Sequence, residues 1–220
     1  MRLPIYGHAI YYRRCPACGF LFTDAFDDWT PEDFATHVYN ADYVQVDPDY
    51  GQLRPVGNAA FVARLFEARK SRLNALDYGG GNGAFAKCLR AHGFKRCDAY
   101  DPFTPGYDTL PQETYNLVTC FETFEHTPDP VGCVRAIIDR LAEDGVVLFS
   151  TLVQPEPFDA QGLRWWYVGP RNGHISLHSA KSLALLWEQQ GCSFSSVNEN
   201  MHMACRAAAS ERLRLGAEAG

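Results

Sequence analysis

The residues that decide the fold are Asp77-Tyr78-Gly79-Gly80-Gly81-Asn82-Gly83, a glycine-rich stretch that follows an apolar run at residues 73–78. The run is typical of a buried strand, and the residues after the glycines repeat with the spacing of a helix face, at Phe85, Cys88, Leu89 and His92. Glycines in such a turn let the backbone bend sharply and approach a ligand without interference from a Cβ atom. The stretch therefore predicts a ligand-binding loop between a strand and a helix.

The rest of the chain alternates between predicted strands and helices. Further strands are expected at residues 95–101, 115–123, 146–152, 192–197 and 201–207, and helices at residues 58–69, 131–141 and 179–190. This alternation predicts an α/β fold in which helices cover both faces of a mostly parallel sheet. Ligands of such a doubly wound sheet bind at the carboxyl ends of its strands.

A second acidic residue follows the glycines. Asp101 ends the second predicted strand, where a carboxylate can accept hydrogen bonds from both hydroxyls of a ribose. With Ala84 in the last position, the loop also satisfies the dinucleotide pattern, so an NAD-type oxidoreductase is an alternative. Asp77 favours S-adenosylmethionine (SAM), because a carboxylate repels a pyrophosphate and attracts the ammonium and sulfonium groups of SAM.

These residues also carry a resemblance to a known family. Residues 75–83, Tyr100-Asp101-Pro102-Phe103 and residues 115–130 resemble the successive motifs of class I SAM-dependent methyltransferases. Within that class the chain is similar to the ubiquinone-type O-methyltransferases and to related bacterial small-molecule methyltransferases. The resemblance covers about residues 58–208 and implies a seven-stranded, Rossmann-like sheet. It also implies transfer of a methyl group to a small-molecule acceptor, with an oxygen nucleophile expected.

The resemblance implies roles for individual residues. Gly79, Gly81 and Gly83 are expected to line the methionine portion of SAM, Asp101 to hold the ribose and Phe103 to lie against the adenine. Phe121 and Glu122 are expected to bring backbone groups near the methionine or the sulfonium. Asp77, Tyr78 and Pro102 complete the predicted cofactor-binding set. One departure is that about a dozen residues separate Asp101 from Tyr115, which is too few for the helix usually found there.

Two carboxylates and an imidazole cluster at the end of another predicted strand, in Glu122-x-x-Glu125-His126. The pattern resembles one shared by ubiquinone-type methyltransferases and small-RNA 3′-end methyltransferases, where a later histidine completes a divalent-metal site; His174 is the candidate here. The hypothesis is that Glu122, Glu125, His126 and His174 bind Mg²⁺, Mn²⁺ or Zn²⁺. Without a metal, Glu122 serves the cofactor, Glu125 caps a helix, and His126 is a general base or a packed histidine. His126, Glu125 and His174 are the candidate catalytic residues.

Two other segments are candidates for the acceptor site. Trp165, Trp166 and Tyr167 either wall the acceptor pocket or pack their loop onto its own core. The segment from Thr30 to Tyr50, rich in Tyr and Asp, is expected to form a cap over the active site or, alternatively, a packed aromatic arm.

The N-terminal region carries a separate motif. Residues 1–56 are predicted to be an appendage, followed by a methyltransferase domain at residues 57–208 and a tail at residues 209–220. Cys15-Pro16-Ala17-Cys18-Gly19 looks like half of a zinc-ribbon knuckle, since a structural Zn²⁺ normally has four protein ligands. Either the other half is missing, or His8 and another residue complete the site, or the knuckle is a metal-free relic.

Composition limits the partners. The net charge of −6 disfavours duplex nucleic acid, which needs a concentrated excess of basic residues. No signal peptide or membrane span is expected, so the chain is predicted to be cytoplasmic. Oligomerisation remains open. The alternatives to a SAM-dependent methyltransferase are an NAD-type oxidoreductase and a catalytically inactive module that binds a partner through a zinc knuckle at Cys15 and Cys18.

Overall fold

The computed structural model describes residues 9–206. His8 and the predicted tail at residues 209–220 lie outside the described residues. Among residues 9–206, no helix is both long enough and apolar enough to cross a lipid bilayer.

The central sheet has six strands in the described part of the chain. They are β3 (Asn74–Tyr78), β4 (Arg96–Tyr100), β5 (Tyr115–Phe121), β6 (Leu141–Ser150), β8 (Cys192–Ser196) and β9 (Met201–Arg206), and they lie in the order β4-β3-β5-β6-β9-β8. The pairs β3–β4, β3–β5 and β5–β6 are parallel, whereas β9 runs antiparallel to both of its neighbours. The predicted mostly parallel α/β sheet is therefore confirmed.

The predicted seventh strand does not occur among the described residues. The sheet ends at β4, and the segment between Asp101 and Tyr115 forms turns and bends rather than a helix and a further strand. The segment is too short to cross the sheet as a helix and return as a strand, because such a crossover needs a dozen or more residues before the strand itself.

Four helices cover the two faces of this sheet. They are α3 (Leu53–Leu65), α4 (Ala84–Ala91), α5 (Pro130–Asp139) and α6 (Ala180–Glu188). Adjacent residues of one strand point to opposite faces: Ala75 of β3 packs in the core under α3 and α4, whereas Leu76 packs in the core under α5 and α6. Because the strands are buried on both faces, their sequences are continuous apolar runs.

The helix before β6 ends earlier than predicted. The helix expected to reach Leu141 ends at Asp139, and Leu141 begins β6, where it pairs with Tyr115. Leu141 is a buried residue of the sheet. An apolar side chain at this position fits the pattern of a helix face and that of a buried strand equally well. Hydrophobic spacing alone does not distinguish these environments for a single residue.

The N-terminal region is packed onto the rest of the chain. β1 (Arg13–Arg14) and β2 (Leu21–Phe22) form a small antiparallel sheet with β7 (Ser176–Leu177). The short helices α1 (Pro31–His37) and α2 (Tyr43–Val46) follow, and Phe34 and Tyr43 join a buried cluster with Ile175. Helix α3 runs through the predicted domain boundary at residues 56–57. Residues 9–56 therefore share buried contacts with the rest of the chain, and the division into domains stays a prediction.

Candidate cofactor and catalytic site

The glycine loop is fixed to the neighbouring strand. The backbone N–H groups of Gly79 and Gly80 both donate to the carbonyl oxygen of Tyr100, at 2.8 and 3.0 Å. Gly79 has a φ of +76°, and a Cβ atom on it would come within 2.2 Å of Thr123 Oγ1. Only glycine satisfies both the left-handed backbone and this close approach. The loop therefore turns tightly at the carboxyl ends of β3 and β4.

The two acids flanking the loop have different environments. Asp101 lies at the edge of the loop, where Oδ2 accepts from the N–H of Gly81 at 3.0 Å and Oδ1 accepts from the N–H of Phe103 at 2.9 Å. Asp77 is buried beneath the loop and accepts a hydrogen bond from Thr119 Oγ1 at 3.0 Å. Burial, reinforced by the nearby charge of Asp101, raises the pKa of Asp77 to about 7.

A cavity of about 560 Å³ opens above the loop. It is large enough for a nucleoside-sized ligand. A Cβ atom on Gly81, whose φ is +52°, would meet no protein atom within 4 Å, so this face of the loop is open. The predicted site residues that line the cavity are Asp77, Tyr78, Gly79, Gly81, Asp101, Pro102, Phe103, Phe121, Glu122 and His126.

Three residues predicted for the cofactor and catalytic sites, Gly83, Glu125 and His174, do not line the cavity. Gly83 ends the loop with a φ of +71°, and a Cβ atom there would come within 2.6 Å of the hydroxyl of Tyr107. Gly83 is thus packed against the protein, whereas it was expected to line the methionine end. Glu125 is fully buried and His174 is 8% exposed. Each has a potential ligand atom within 4.8 Å of one on His126, which does line the cavity.

Glu122 occupies a strained turn at the end of β5. Its φ is +50°, which is unfavourable for a residue with a side chain. Its backbone N–H donates to Ser150 Oγ at 3.0 Å, and the same hydroxyl donates to Glu122 Oε1 at 2.8 Å. Ser150 therefore fixes both the backbone and the carboxylate of Glu122 at the cavity wall. No feature of the sequence indicated this role of Ser150.

Glu125, His126 and His174 form a cluster in which Glu125 and His174 are buried and His126 is half-buried. One potential ligand atom from each residue lies within 4.8 Å of those of the other two, and no other such group of three occurs among residues 9–206. Glu122 was predicted to share this cluster but is not part of it, because its carboxylate is held by Ser150. The structure therefore brings together three of the four proposed metal ligands.

The protonation of this cluster follows from its burial. Burial, followed by the nearby Glu122, raises the pKa of Glu125 to about 8. Burial, followed by the nearby His174, lowers the pKa of His126 to about 3. At neutral pH the imidazole is therefore neutral and the carboxyl is largely protonated. Glu125 Oε2 and His126 Nδ1 are both buried without a hydrogen-bond partner within the described residues.

Tyr167 connects two members of the cluster. Its hydroxyl donates to Glu125 Oε1, and its carbonyl oxygen lies 2.7 Å from His174 Nδ1. The second contact requires Nδ1 to carry the proton, which leaves Nε2 of His174 with a free lone pair. Trp165 and Tyr167 pack into a small core with Phe158, and Trp166 is 74% exposed. These aromatic residues thus pack their own loop and do not wall the cavity.

The N-terminal region forms the opposite wall of the cavity. Tyr39, Tyr43 and Tyr50 line it, as expected of a cap. Sequence reasoning did not indicate Arg54, which contributes the only Lys or Arg side chain to the cavity wall in the described structure. Its guanidinium makes two parallel hydrogen bonds to Asp47, at 2.9 and 2.8 Å. The position of Arg54 at the start of α3 depends on how the N-terminal region packs, which local sequence patterns do not reveal.

The cysteine pair lies far along the chain from these residues and forms a tight turn. Cys15 accepts from the N–H of Gly19 at 2.8 Å, and the hydroxyl of Ser179 donates to the carbonyl of Cys18. Neither cysteine belongs to a group of three potential ligands within residues 9–206. His8, the candidate third ligand, lies outside that range, and zinc at this turn stays a prediction.

Comparisons with known proteins agree with this architecture. A family model described as a methyltransferase domain matches residues 50–197, about two thirds of the chain. The ubiquinone biosynthesis O-methyltransferase of Aliivibrio fischeri is 48% identical over 40 residues, and that of Neisseria meningitidis serogroup C is 46% identical over 39 residues. These matches span 18% of this chain and only 16–17% of the length of the relatives.

Solved structures resemble the chain in fold. Magnesium protoporphyrin IX methyltransferase from Synechocystis PCC 6803 is 14% identical with a TM-score of 0.53, over 83% of this chain and 97% of that one. DesVI of Streptomyces venezuelae is 16% identical with a TM-score of 0.52, over 78% of this chain and 98% of that one. Identities this low support the similarity of the fold alone.

The sheet order, the glycine loop after β3 and the acidic residue after β4 define a class I SAM-dependent methyltransferase. The family model covers well over half of the residues, so the chain belongs to the methyltransferase domain family.

Proposed function

We propose that the chain transfers the methyl group of SAM to a hydroxyl oxygen of a small-molecule acceptor. The observation that carries the proposal is that one cavity has the glycine loop and Asp101 on one wall and His126 and the tyrosines of the N-terminal region on another. An oxygen acceptor is supported by the partial similarity to ubiquinone biosynthesis O-methyltransferases. We also infer that the protein acts in the cytoplasm.

The residues of the cavity fit SAM along its length. Asp101 and Phe103 suit the ribose and the adenine, and Gly81 leaves open space at the turn of the loop. Asp77 and Glu122 supply negative charge for the ammonium and the sulfonium. Arg54 is suited to the α-carboxylate of the methionine portion, because it is the one basic side chain on the cavity wall within residues 9–206. SAM supplies an electrophilic methyl group, and the protein orients it.

His126 is proposed to accept the proton that the acceptor hydroxyl loses. Its imidazole is neutral because burial lowers its pKa, so its lone pair is available to the acceptor hydroxyl. The acceptor oxygen forms the new C–O bond as the S–C bond breaks. The electron pair of that bond stays on sulfur to give S-adenosylhomocysteine (SAH), and the hydroxyl proton passes to His126. Holding the acceptor and the methyl group in line is the main contribution of the cavity.

A divalent cation at Glu125, His126 and His174 is a second proposal. Two observations favour it: Glu125 Oε2 and His126 Nδ1 are buried without partners, and Nδ1 of His174 faces a carbonyl oxygen, as in many metal-bound histidines. Two imidazoles and a carboxylate suit Zn²⁺ or Mn²⁺ better than Mg²⁺. When bound, the ion would supply positive charge that lowers the pKa of an acceptor hydroxyl beside His126.

The proposal is tested with SAM that carries a tritiated methyl group. Purified protein is incubated with this SAM and, separately, with catechol, 4-hydroxybenzoate and aniline, and the products are counted. Methylation of a hydroxyl compound, abolished in the His126→Ala variant, is expected. Methylation of aniline alone would show a nitrogen nucleophile and would contradict the oxygen assignment. The NAD-type oxidoreductase is tested in the same protein by titration with NAD, for which no binding is expected.

A further inference from the structure

Tyr39 lies between the cofactor wall of the cavity and His126. Its ring stacks on Phe103, with centroids 5.1 Å apart and planes 29° apart, and meets the ring of His126 edge-on at 5.9 Å. Phe103 belongs to the proposed adenosine site and His126 to the proposed acceptor site. Tyr39 thus spans the region in which the methyl group and its acceptor have to meet.

A glycine holds the hydroxyl of Tyr39 and the imidazole of His126 close together. A Cβ atom on Gly173 would lie 2.9 Å from Tyr39 Oη and 3.0 Å from His126 Nδ1. The two polar atoms therefore approach the same small volume from different elements, and they do so only because residue 173 has no side chain. Gly173 also has a φ of +80°, which glycine adopts without strain.

The hydroxyl of Tyr39, unlike those of two other tyrosines nearby, makes no hydrogen bond within the described residues. The neighbouring Tyr43 donates to the carbonyl of Asn172 at 3.3 Å, and Tyr12 donates to the carbonyl of His174 at 2.6 Å. Tyr39 Oη makes no such bond to any residue in the range 9–206, although its side chain lines the cavity. Tyr39 is half-buried, so its hydroxyl is accessible from the cavity that the residue lines. A ligand in the cavity can therefore hydrogen-bond to it.

We propose that Tyr39 binds the methyl acceptor, its hydroxyl donating to the acceptor oxygen while His126 accepts the proton of that oxygen. The inference rests on the proposed function and adds a residue of the N-terminal region to the acceptor site. A hydroxyl acceptor satisfies both groups at once, because its oxygen accepts one hydrogen bond and donates another.

The decisive variant is Tyr39→Phe, which keeps the ring on Phe103 and removes only the hydroxyl. With catechol as the acceptor and tritiated SAM, kcat/KM is expected to fall about tenfold to one-hundredfold. The Kd for SAM, measured by calorimetry, is expected to stay within about twofold, because the hydroxyl serves the acceptor. Tyr11→Phe is the matched control, since Tyr11 is 75% exposed and does not line the cavity.

A second variant tests the geometry independently. Gly173→Ala places a methyl group between Tyr39 Oη and His126 Nδ1 and is expected to reduce kcat/KM for catechol at least as much. A value of kcat/KM in Tyr39→Phe within twofold of the wild type would overturn the inference while leaving the proposed function intact. An equal loss of SAM affinity would also overturn it, because the hydroxyl would then serve the cofactor. Failure of the wild type to methylate either catechol or 4-hydroxybenzoate would overturn the phenolic acceptor and, with it, the inference.

Discussion

The carboxylate of Asp101 accepts a hydrogen bond from the backbone N–H of Gly81, with 3.0 Å between Oδ2 and the amide nitrogen. The contact joins two features that are 20 residues apart in the sequence, the glycine loop and the acid after β4. The same carboxylate also accepts from Thr104 Oγ1 at 3.1 Å. Asp101 therefore has one function in the loop and a second, proposed function toward the ribose.

Asp101→Asn is expected to weaken SAM binding by about 1–3 kcal/mol, or roughly tenfold to one-hundredfold in Kd. The amide loses the charge that strengthens the ribose contacts and one acceptor position. Calorimetric titration with SAM measures the change. Thr104→Val removes one hydrogen bond to Asp101 but leaves the carboxylate, and it is expected to change Kd by less than about threefold. Equal affinity in Asp101→Asn and the wild type would refute the ribose assignment.

Gly79 in the loop and Gly57 in α3 predict opposite effects of the same substitution. Gly79→Ala places a Cβ atom 2.2 Å from Thr123 Oγ1 at a φ of +76°, so it is expected to destabilise the protein by about 1–3 kcal/mol and to abolish SAM binding. Gly57 lies exposed within α3 with no atom near its would-be Cβ. Gly57→Ala is expected to stabilise the helix by about 0.5–1 kcal/mol. Chemical unfolding of both variants measures this, and a stable Gly79→Ala protein would contradict the loop geometry.

The buried Asp77 predicts a pH-dependent stability of the protein without SAM. Its pKa is raised from 3.8 to about 7, so the folded state retains a proton that the unfolded chain releases. The contribution of Asp77 to the free energy of unfolding is fully present below about pH 4 and is lost as the pH rises through about 7. Asp77→Asn removes this loss and is expected to unfold less readily than the wild type at pH 8, by roughly 1–3 kcal/mol.

The measurement is urea unfolding of both proteins at pH 5 and pH 8 without ligand. The gain in free energy of unfolding of Asp77→Asn over the wild type is expected to be larger at pH 8 than at pH 5, because only at pH 8 is Asp77 ionised in the wild type. Other titrating groups are common to both proteins and cancel in the comparison. An advantage independent of pH would show that Asp77 is ionised in the folded state, contrary to its burial beneath the loop.

The Glu125, His126 and His174 cluster predicts binding of a divalent cation. Titration of EDTA-treated protein with Mn²⁺ is expected to show one site, and Glu125→Gln is expected to weaken it at least tenfold, because an amide oxygen is a poorer ligand than the carboxylate that metal binding would deprotonate. Glu188→Gln, on the exposed end of α6, is the matched control and is expected to bind Mn²⁺ as the wild type does. Full methyl transfer in excess EDTA would remove any role of a metal in the reaction.

Local sequence patterns predicted the sheet because its strands are buried on both faces. Ala75 and Leu76 point into two different cores, so the run is apolar throughout and easily recognised. Leu141 was misassigned because burial at a helix end and at a strand start require the same apolar side chain. The segment after Asp101 is too short for a helix and a strand, which indicates that an edge strand is absent. A seven-stranded sheet was nevertheless predicted, because the resembled family has one.

The candidate site was predictable where it is local and unpredictable where distant segments meet. The glycine loop, Asp101 and His126 lie at strand ends, and the alternation of strands and helices places such ends on one edge of the sheet. Arg54 and Gly173 owe their positions to packing of the N-terminal region and of the loop before β7, which no short motif encodes. Glu122 was predicted to be a metal ligand. The hydroxyl of Ser150, which is distant in sequence, instead holds its carboxylate at the cavity wall.

The central claim is that the cavity above the glycine loop binds the methyl donor with its adenosine toward Asp101 and Phe103 and its sulfur toward His126. A crystal structure of the protein with SAH tests this most directly. The account predicts ribose hydroxyls within 3.2 Å or so of the Asp101 carboxylate, the α-carboxylate beside Arg54, and the sulfur facing the space between Tyr39 and His126. SAH bound in the reverse orientation, or outside this cavity, would contradict it.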